Sequence, residues 1–276
     1  LNTNTVRYFI DIAFNGSGFS GWQSQPGSPT VQQTLAAAIA SVLGDPGGLT
    51  GAGRTDAGVH ALQMIAHFDG PARLQLETSS FIQQLEKQLP ASVRIRGLQA
   101  VRPESHARFD ALSRTYHYLV DRQRSPFLKG LAMDYYGPLN LDAMQAAAEM
   151  LVGKRDFACF ARSGSDVNNH LCDVKLSRWY TDEDVLVYEI KANRFLRNMV
   201  RAIVGTLIDV GRGRFSLDYL EEILASGSRS LAGTSAPAHG LYLWKVDYPE
   251  EVYSLGSDEG RVASTDAAFR SPGRSI

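Results

Sequence analysis

Cysteine is nearly missing from this chain. Cys159 and Cys172 are the only two, with twelve residues between them and no Cys-x-x-Cys. That excludes a disulfide framework and a zinc-ligand pattern, and it is the usage expected in a reducing compartment. No apolar run reaches the length of a membrane span, and the first residues lack the basic-then-apolar order of a secretory signal. A soluble, cytoplasmic protein without a membrane partner is the expectation. An excess of one charge is also absent: 28 Lys and Arg stand against 29 Asp and Glu. A protein that coats nucleic acid by bulk charge is thereby excluded, although a local basic groove is not.

What charge there is, is sorted by region. Residues 191–214 hold Lys191, Arg194, Arg197, Arg201, Arg212 and Arg214 against Asp209 alone, and residues 94–124 hold seven arginines against Glu104, Asp110 and Asp121. Acids return beyond Pro249, at Glu250, Glu251, Asp258, Glu259 and Asp266. Such sorting fits one basic face on a near-neutral protein, though scattered solvated arginines would read the same way. At 276 residues and 44% hydrophobic, the chain can bury one large core or two modest ones.

Periodicity predicts strands over Val6–Phe14, Val93–Val101 and Ser113–Asp121, with a further strand after Asp56. Thr30 and Gln33 form a capping box that opens a helix ending at Gly44, and a second helix runs from about Ser79 or Ser80 to Leu89. In the second half, helices are expected over Leu141–Val152, Arg194–Val210 and Leu217–Leu224. Lys175–Thr181 pairs there with Val185–Ala192, and Leu241–Tyr248 closes as a strand. Each half reads as a split βαβ arrangement of α+β class. The expected divisions are an N-terminal half over 1–106, a C-terminal half over 107–248, and a mobile Ser-, Gly- and Asp-rich tail over 249–276.

Two motifs compete for chemistry. Gly16-Ser17-Gly18-Phe19-Ser20-Gly21 satisfies G-x-G-x-x-G after a strand, yet a dinucleotide site needs a helix opening inside the glycines. Here Pro26, Gly27 and Pro29 intervene and no acid stands about twenty residues downstream, so no nucleotide cofactor is expected. The second motif is Gly53-Arg54-Thr55-Asp56-Ala57-Gly58-Val59-His60-Ala61. Its small residues allow close approach to the backbone, and it sets one carboxylate, with a guanidinium two positions earlier, on a tight turn. An ionised carboxylate suits a nucleophile or base; an Asx-turn with an external ion pair would look the same. His60 and His67 lack a third ligand at suitable spacing, so no metal site is expected.

The Asp56 segment resembles the signature of the tRNA pseudouridine synthase A (TruA) family. The resemblance continues in order through Phe14-Asn15-Gly16, Gly21-Trp22-Gln23-Ser24-Gln25, Thr30-Val31-Gln32, His106-Ala107-Arg108-Phe109, Arg114-Thr115-Tyr116-His117-Tyr118, Asp156-Phe157, the run from Ala192 to Arg201, and Gly240-Leu241-Tyr242-Leu243. It implies two related ferredoxin- or RRM-like halves that share an antiparallel sheet, with helices on one side and a central cleft. It also implies isomerisation of uridine to pseudouridine at positions 38, 39 and 40 of the anticodon stem-loop, by a homodimer that needs no cofactor. By the same resemblance Asp56 falls on the catalytic aspartate, and Arg54, Tyr116 and Arg201 on residues that bind the target nucleotide.

Arg194, Arg197 and Arg201 recur at spacings of three and four, which on a helix puts them on one face. With Arg108 they are candidate RNA contacts. Tyr116 and Tyr118 alternate on a strand and share a face. Phe14-Asn15-Gly16 and Phe19 depart from the family's usual tyrosines and aspartate, and the Asn169–Cys172 region lacks a customary arginine. A non-catalytic RNA-binding protein on the same scaffold is the alternative. A zinc base deaminase is excluded by the missing His-x-Glu and Pro-Cys-x-x-Cys.

Overall fold

Ten residues rich in β-branched and aromatic side chains open the computed structural model as β1 (Thr5–Phe14). It describes residues 5–44, 48–162 and 169–253, so most of the expected 249–276 tail lies outside the described residues. The chain forms two compact units: residues up to Leu112 together with those from Leu243, and Ser113–Tyr242. The expected halves met at 106/107 and placed 107–248 in the second. In the structure the 107–112 linker and the strand from Leu243 fold with the first.

In the first unit, β1 is followed by α1 (Val31–Leu43), β2 (Thr50–Gly51), β3 (His60–Pro71), α2 (Thr78–Glu86) and β4 (Val93–Val101). β1 pairs antiparallel with β3 on one edge and β4 on the other. His67 of β3 faces Phe9 on one side and Thr50 on the other, so β2 lies across β3 from β1. β2, which periodicity does not predict, is antiparallel to β3, hence parallel to β1, and β3 splits the β1–α1–β2 unit. β10 (Leu241–Asp247) follows β3 in strand order, and its Val246 N–H donates to the buried Gln63 Oε1 at 3.0 Å.

The helices follow their apolar stripes. Thr30 is fully buried and its hydroxyl accepts from Gln33 N, capping α1, which buries Val31, Leu35, Ala38 and Ile39. α2 buries Phe81 and Leu85, and the Phe81 ring meets Phe68 of β3 at 6.3 Å. Burying a side chain of this size contributes about 1.5–3 kcal/mol.

The second unit contains β5 (Ser113–Asp121), β6 (Met133–Asp134), α3 (Leu141–Glu149), β7 (Gly153–Asp156), β8 (Leu171–Asp182), β9 (Val185–Ala192), α4 (Met199–Gly211) and α5 (Leu217–Ser226). Its sheet runs β5-β9-β8-β7 with antiparallel neighbours, and β6 adds to β5 in parallel. The β8–β9 hairpin turns through Glu183, whose φ is 50°.

α2 and α3 each end three residues earlier than expected, at Glu86 and Glu149, and α4 differs most. α4 starts at Met199 rather than Arg194, because Asn198 takes a left-handed conformation (φ 65°) and residues 194–198 form a loop. Periodicity ran upstream of a break that only the backbone shows. α4 is buried on nearly every side, so it forms the core of its unit rather than a surface helix. Gly205 lets the chain at Thr234 pass against it, since a Cβ there would stand 1.8 Å from Thr234 O.

Candidate active site

Asp56 lies on the connection between β2 and β3. Val59 N–H donates to Asp56 O at 3.2 Å and Gly58 has φ 78°, the positive angle such a turn requires. Asp56 is partly exposed and Arg54 is exposed, so a ligand can reach both side chains. Between them, Thr55 is buried, and its hydroxyl finds no hydrogen-bond partner among the described residues.

The glycine motif explains why the turn sits where it does. Gly16–Gly18 make one short 3-10 turn instead of a helix, so the dinucleotide geometry is absent there. The loop presses its backbone onto the Asp56 turn instead. Trp22 N donates to Thr55 O (3.2 Å), Gly58 N to Phe19 O (3.3 Å) and Gly16 N to the Nδ1 of buried His60 (3.1 Å). A Cβ on Gly16 would lie 2.0 Å from Val59 O, and one on Gly21 (φ 94°) 2.4 Å from Thr55 O. Two glycines therefore hold a rigid backbone clamp behind the carboxylate. Trp22 completes it from below, fully buried with its ring against Gly51.

In the second unit, Tyr116 sits on β5 opposite Ile190, half-buried, with its ring edge-on to Phe195 at 5.1 Å. Two residues along, Tyr118 is fully buried and its hydroxyl donates to Pro237 O at 2.9 Å. Burial pushes the Tyr118 phenol well above its usual range, and the positive charge of Arg201 opposes that shift. Arg201 is thus close to Tyr118, on the strand that carries Tyr116. Its Nε donates to Ala236 O at 2.7 Å while Ala236 N donates to Arg201 O at 2.9 Å, a reciprocal pair that fixes the side chain. A cation in the first turn of α4 opposes the helix dipole, so Arg201 is poorly placed for stability and well placed for an anion.

The three-arginine ridge does not form. Arg194 and Arg197 precede the helix; the Arg194 Nη1 reaches Asn169 Oδ1 at 3.3 Å, and Arg197 is exposed with its carbonyl accepting from Arg162 N. Arg201 alone of the three lies on α4. Arg108 is in the first unit, in the turn after β4, with its guanidinium 5.7 Å from the Phe109 ring centre. Sequence reasoning missed the clamp role of Gly16 and Gly21, the Asn198 break and the Tyr118–Arg201 proximity. Asn before a helix was the one available signal, since Asn is among the residues that tolerate a left-handed backbone. Among the described residues, no group of three or more His, Cys, Asp or Glu side chains is placed to hold a metal ion.

A family model described as tRNA pseudouridine synthase matches residues 147–249. A tRNA pseudouridine synthase A of Porphyromonas gingivalis is 45% identical over 250 residues, which is 90% of this chain and 99% of the relative. Proteins of the same name from Parabacteroides distasonis and Bacteroides fragilis are 44% and 41% identical, each covering 90% of this chain and 98% of their own. Among solved structures, an archaeal box H/ACA Nop10–Cbf5 complex matches at 12% identity and a TM-score of 0.34, covering 72% of this chain and 45% of that one.

Proposed function

The chain belongs to the tRNA pseudouridine synthase A family, and from that premise we propose that Asp56 is the carboxylate with which it converts uridine to pseudouridine in tRNA. The enzyme is an isomerase acting on tRNA uridine. The reaction breaks N1–C1′, turns the detached uracil and rejoins it through C5, with no net redox change. Substrate and product have the same composition, since the proton lost from C5 is balanced by one gained at N1, and no cofactor is needed. The observation that carries the assignment is the backbone clamp: Gly16 and Gly21 hold the Asp56 turn rigid while the carboxylate stays reachable.

The chain supplies three functions. Asp56 reacts, by attacking C1′, adding to C6 or removing a proton at C2′; each route uses one fixed carboxylate. Tyr116 is a half-exposed flat ring against which a flipped base stacks, its edge braced by Phe195. Stacking on an aromatic contributes about 1–3 kcal/mol per base, comparable to the few kcal/mol needed to unstack a nucleotide. Arg201 and Arg54 bring positive charge, Arg201 from a side chain already fixed by Ala236. Because phosphate contacts fix orientation without reading sequence, such a site tolerates several target positions.

The target we propose is the anticodon stem-loop, at positions 38, 39 and 40, acted on by a homodimer in the cytoplasm. The test is to incubate unmodified tRNA with the purified protein alone and map pseudouridine along it. Modification confined to those positions is the expected outcome. Modification elsewhere overturns the target, and binding without any modification makes the chain an RNA-binding protein on this scaffold.

A further inference from the structure

The turn after β4 presents a feature that the reaction does not use. Phe109 is 74% exposed, yet its ring is held in place from below. It stacks on His106 with centroids 4.2 Å apart and planes at 30°. His106 is itself fixed: its Nδ1 accepts from the backbone N–H of Arg108 (3.1 Å) and of Phe109 (3.3 Å), and its own N–H donates to Asp110 Oδ2 (2.8 Å). Beneath it lies buried His67, ring edge against ring at 4.6 Å, whose Nδ1 accepts from Ala107 N at 3.0 Å. Tyr248 donates its hydroxyl to Ala107 O and ties the same turn to the segment just after β10. Burial pulls His67 down to about 4, so it stays a neutral acceptor beneath the turn at neutral pH. An exposed apolar ring gains nothing in water, and this one is positioned by one stacked imidazole, a second imidazole edge-on beneath that, and several backbone hydrogen bonds. The Arg108 guanidinium carbon lies over the ring, 5.7 Å from its centre.

We propose that Phe109 is a stacking platform for an unpaired tRNA base other than the one being isomerised, with Arg108 beside it for the adjoining phosphate. A flat ring paired with a guanidinium matches a nucleotide, which offers a π-face and an anion at neighbouring points. The platform is not the reaction site. His67 lies seven residues along β3 from His60, which follows the Asp56 turn, and at ~3.3 Å per residue that is about 23 Å. It is a second foothold on the same RNA. The inference rests on tRNA being the substrate, as proposed above.

The test measures tRNA affinity, its salt dependence and pseudouridine formation for the full chain and for Phe109→Ala, Phe109→Leu, Phe109→Trp and Arg108→Ala, with the exposed Leu76→Ala, between β3 and α2, as control. Loss of the ring should weaken binding about 5- to 100-fold in Phe109→Ala and Phe109→Leu alike, while Phe109→Trp stays close to wild type. Salt should separate the pair: Phe109→Ala keeps the slope of log affinity against log salt, and Arg108→Ala lowers it by about one. Wild-type affinity in Phe109→Ala overturns the proposal. So does wild-type affinity in Phe109→Leu, which would indicate a merely apolar contact. A drop to monomer on light scattering with affinity per protomer unchanged assigns the ring to a second copy of the chain, and also overturns it. If the wild type binds tRNA but forms no pseudouridine, the enzymatic reading fails; if it forms pseudouridine and Phe109→Ala binds normally, only the platform fails.

Discussion

Asp56 and Arg201 are aimed by opposite means. The aspartate side chain rides on a turn held largely by backbone: two glycines, two main-chain hydrogen bonds, a third from Gly16 N to the His60 ring, and a left-handed Gly58. Arg201 rides on a buried helix and is fixed by its own Nε and carbonyl against Ala236. The first device makes position depend on residues that carry no charge. The second makes it depend on the geometry of one guanidinium. Mutations should therefore fail differently in the two regions.

Among the supporting residues of the two regions, the largest effect is expected from Gly21→Ala. A side chain there meets both a positive φ and Thr55 O, so turnover should fall more than about 100-fold although every charged group is kept. Gly27→Ala sharpens the comparison: its φ is 72° but nothing lies within 4 Å of a new Cβ. It should cost about 1–2 kcal/mol of stability with turnover unchanged. Equal loss of turnover in both would show that left-handed strain, not the clamp, is what matters. Next comes Arg201→Lys, which keeps the charge but loses the planar fork and Nε. Turnover at saturating tRNA should fall about 10- to 100-fold with the melting temperature little changed. Turnover near the wild-type value would show that charge alone suffices.

A smaller, pH-dependent effect belongs to Asp11 on β1, fully buried with Gln63 Nε2 donating to one oxygen at 3.1 Å. Burial raises its carboxyl to about 7, with Arg96 opposing the shift. The sign follows from the raised value: the neutral form is preferred when folded, so the contribution is complete below about pH 4 and is lost as pH rises through 7. Asp11→Asn should remove that loss, so its gain over the wild type should be on the order of 2–3 kcal/mol larger at pH 8 than at pH 5 in urea titrations. A gain equal at both pH values would contradict it. The smallest effect is expected from Arg197→Ala. Exposed and off the helix, it should change tRNA affinity less than about threefold, as one screened surface charge does.

How far the sequence carries is seen in the same two regions. β4 and β5 span the expected residues, and the Thr30 cap starts α1 as read, because alternation and capping are local signals. The Asp56 turn was readable from its small residues. Its support was not, because contact between residues 16–22 and 55–60 is a tertiary fact and the glycines matched a different motif better. The arginine spacing at 194, 197 and 201 fitted a helical face, yet one left-handed Asn198 removed the first two from it. β10 likewise carries no mark in sequence that sends it back beside β3. Long-range pairing is decided by the rest of the fold.

The most direct measurement is a single-turnover assay of Asp56→Asn at saturating tRNA, a substitution that keeps the shape of the side chain and removes its charge. The expected result is tRNA affinity within about threefold of wild type and no detectable pseudouridine. Pseudouridine formed by that variant at a rate near the wild type would contradict the assignment of the chemistry to this carboxylate.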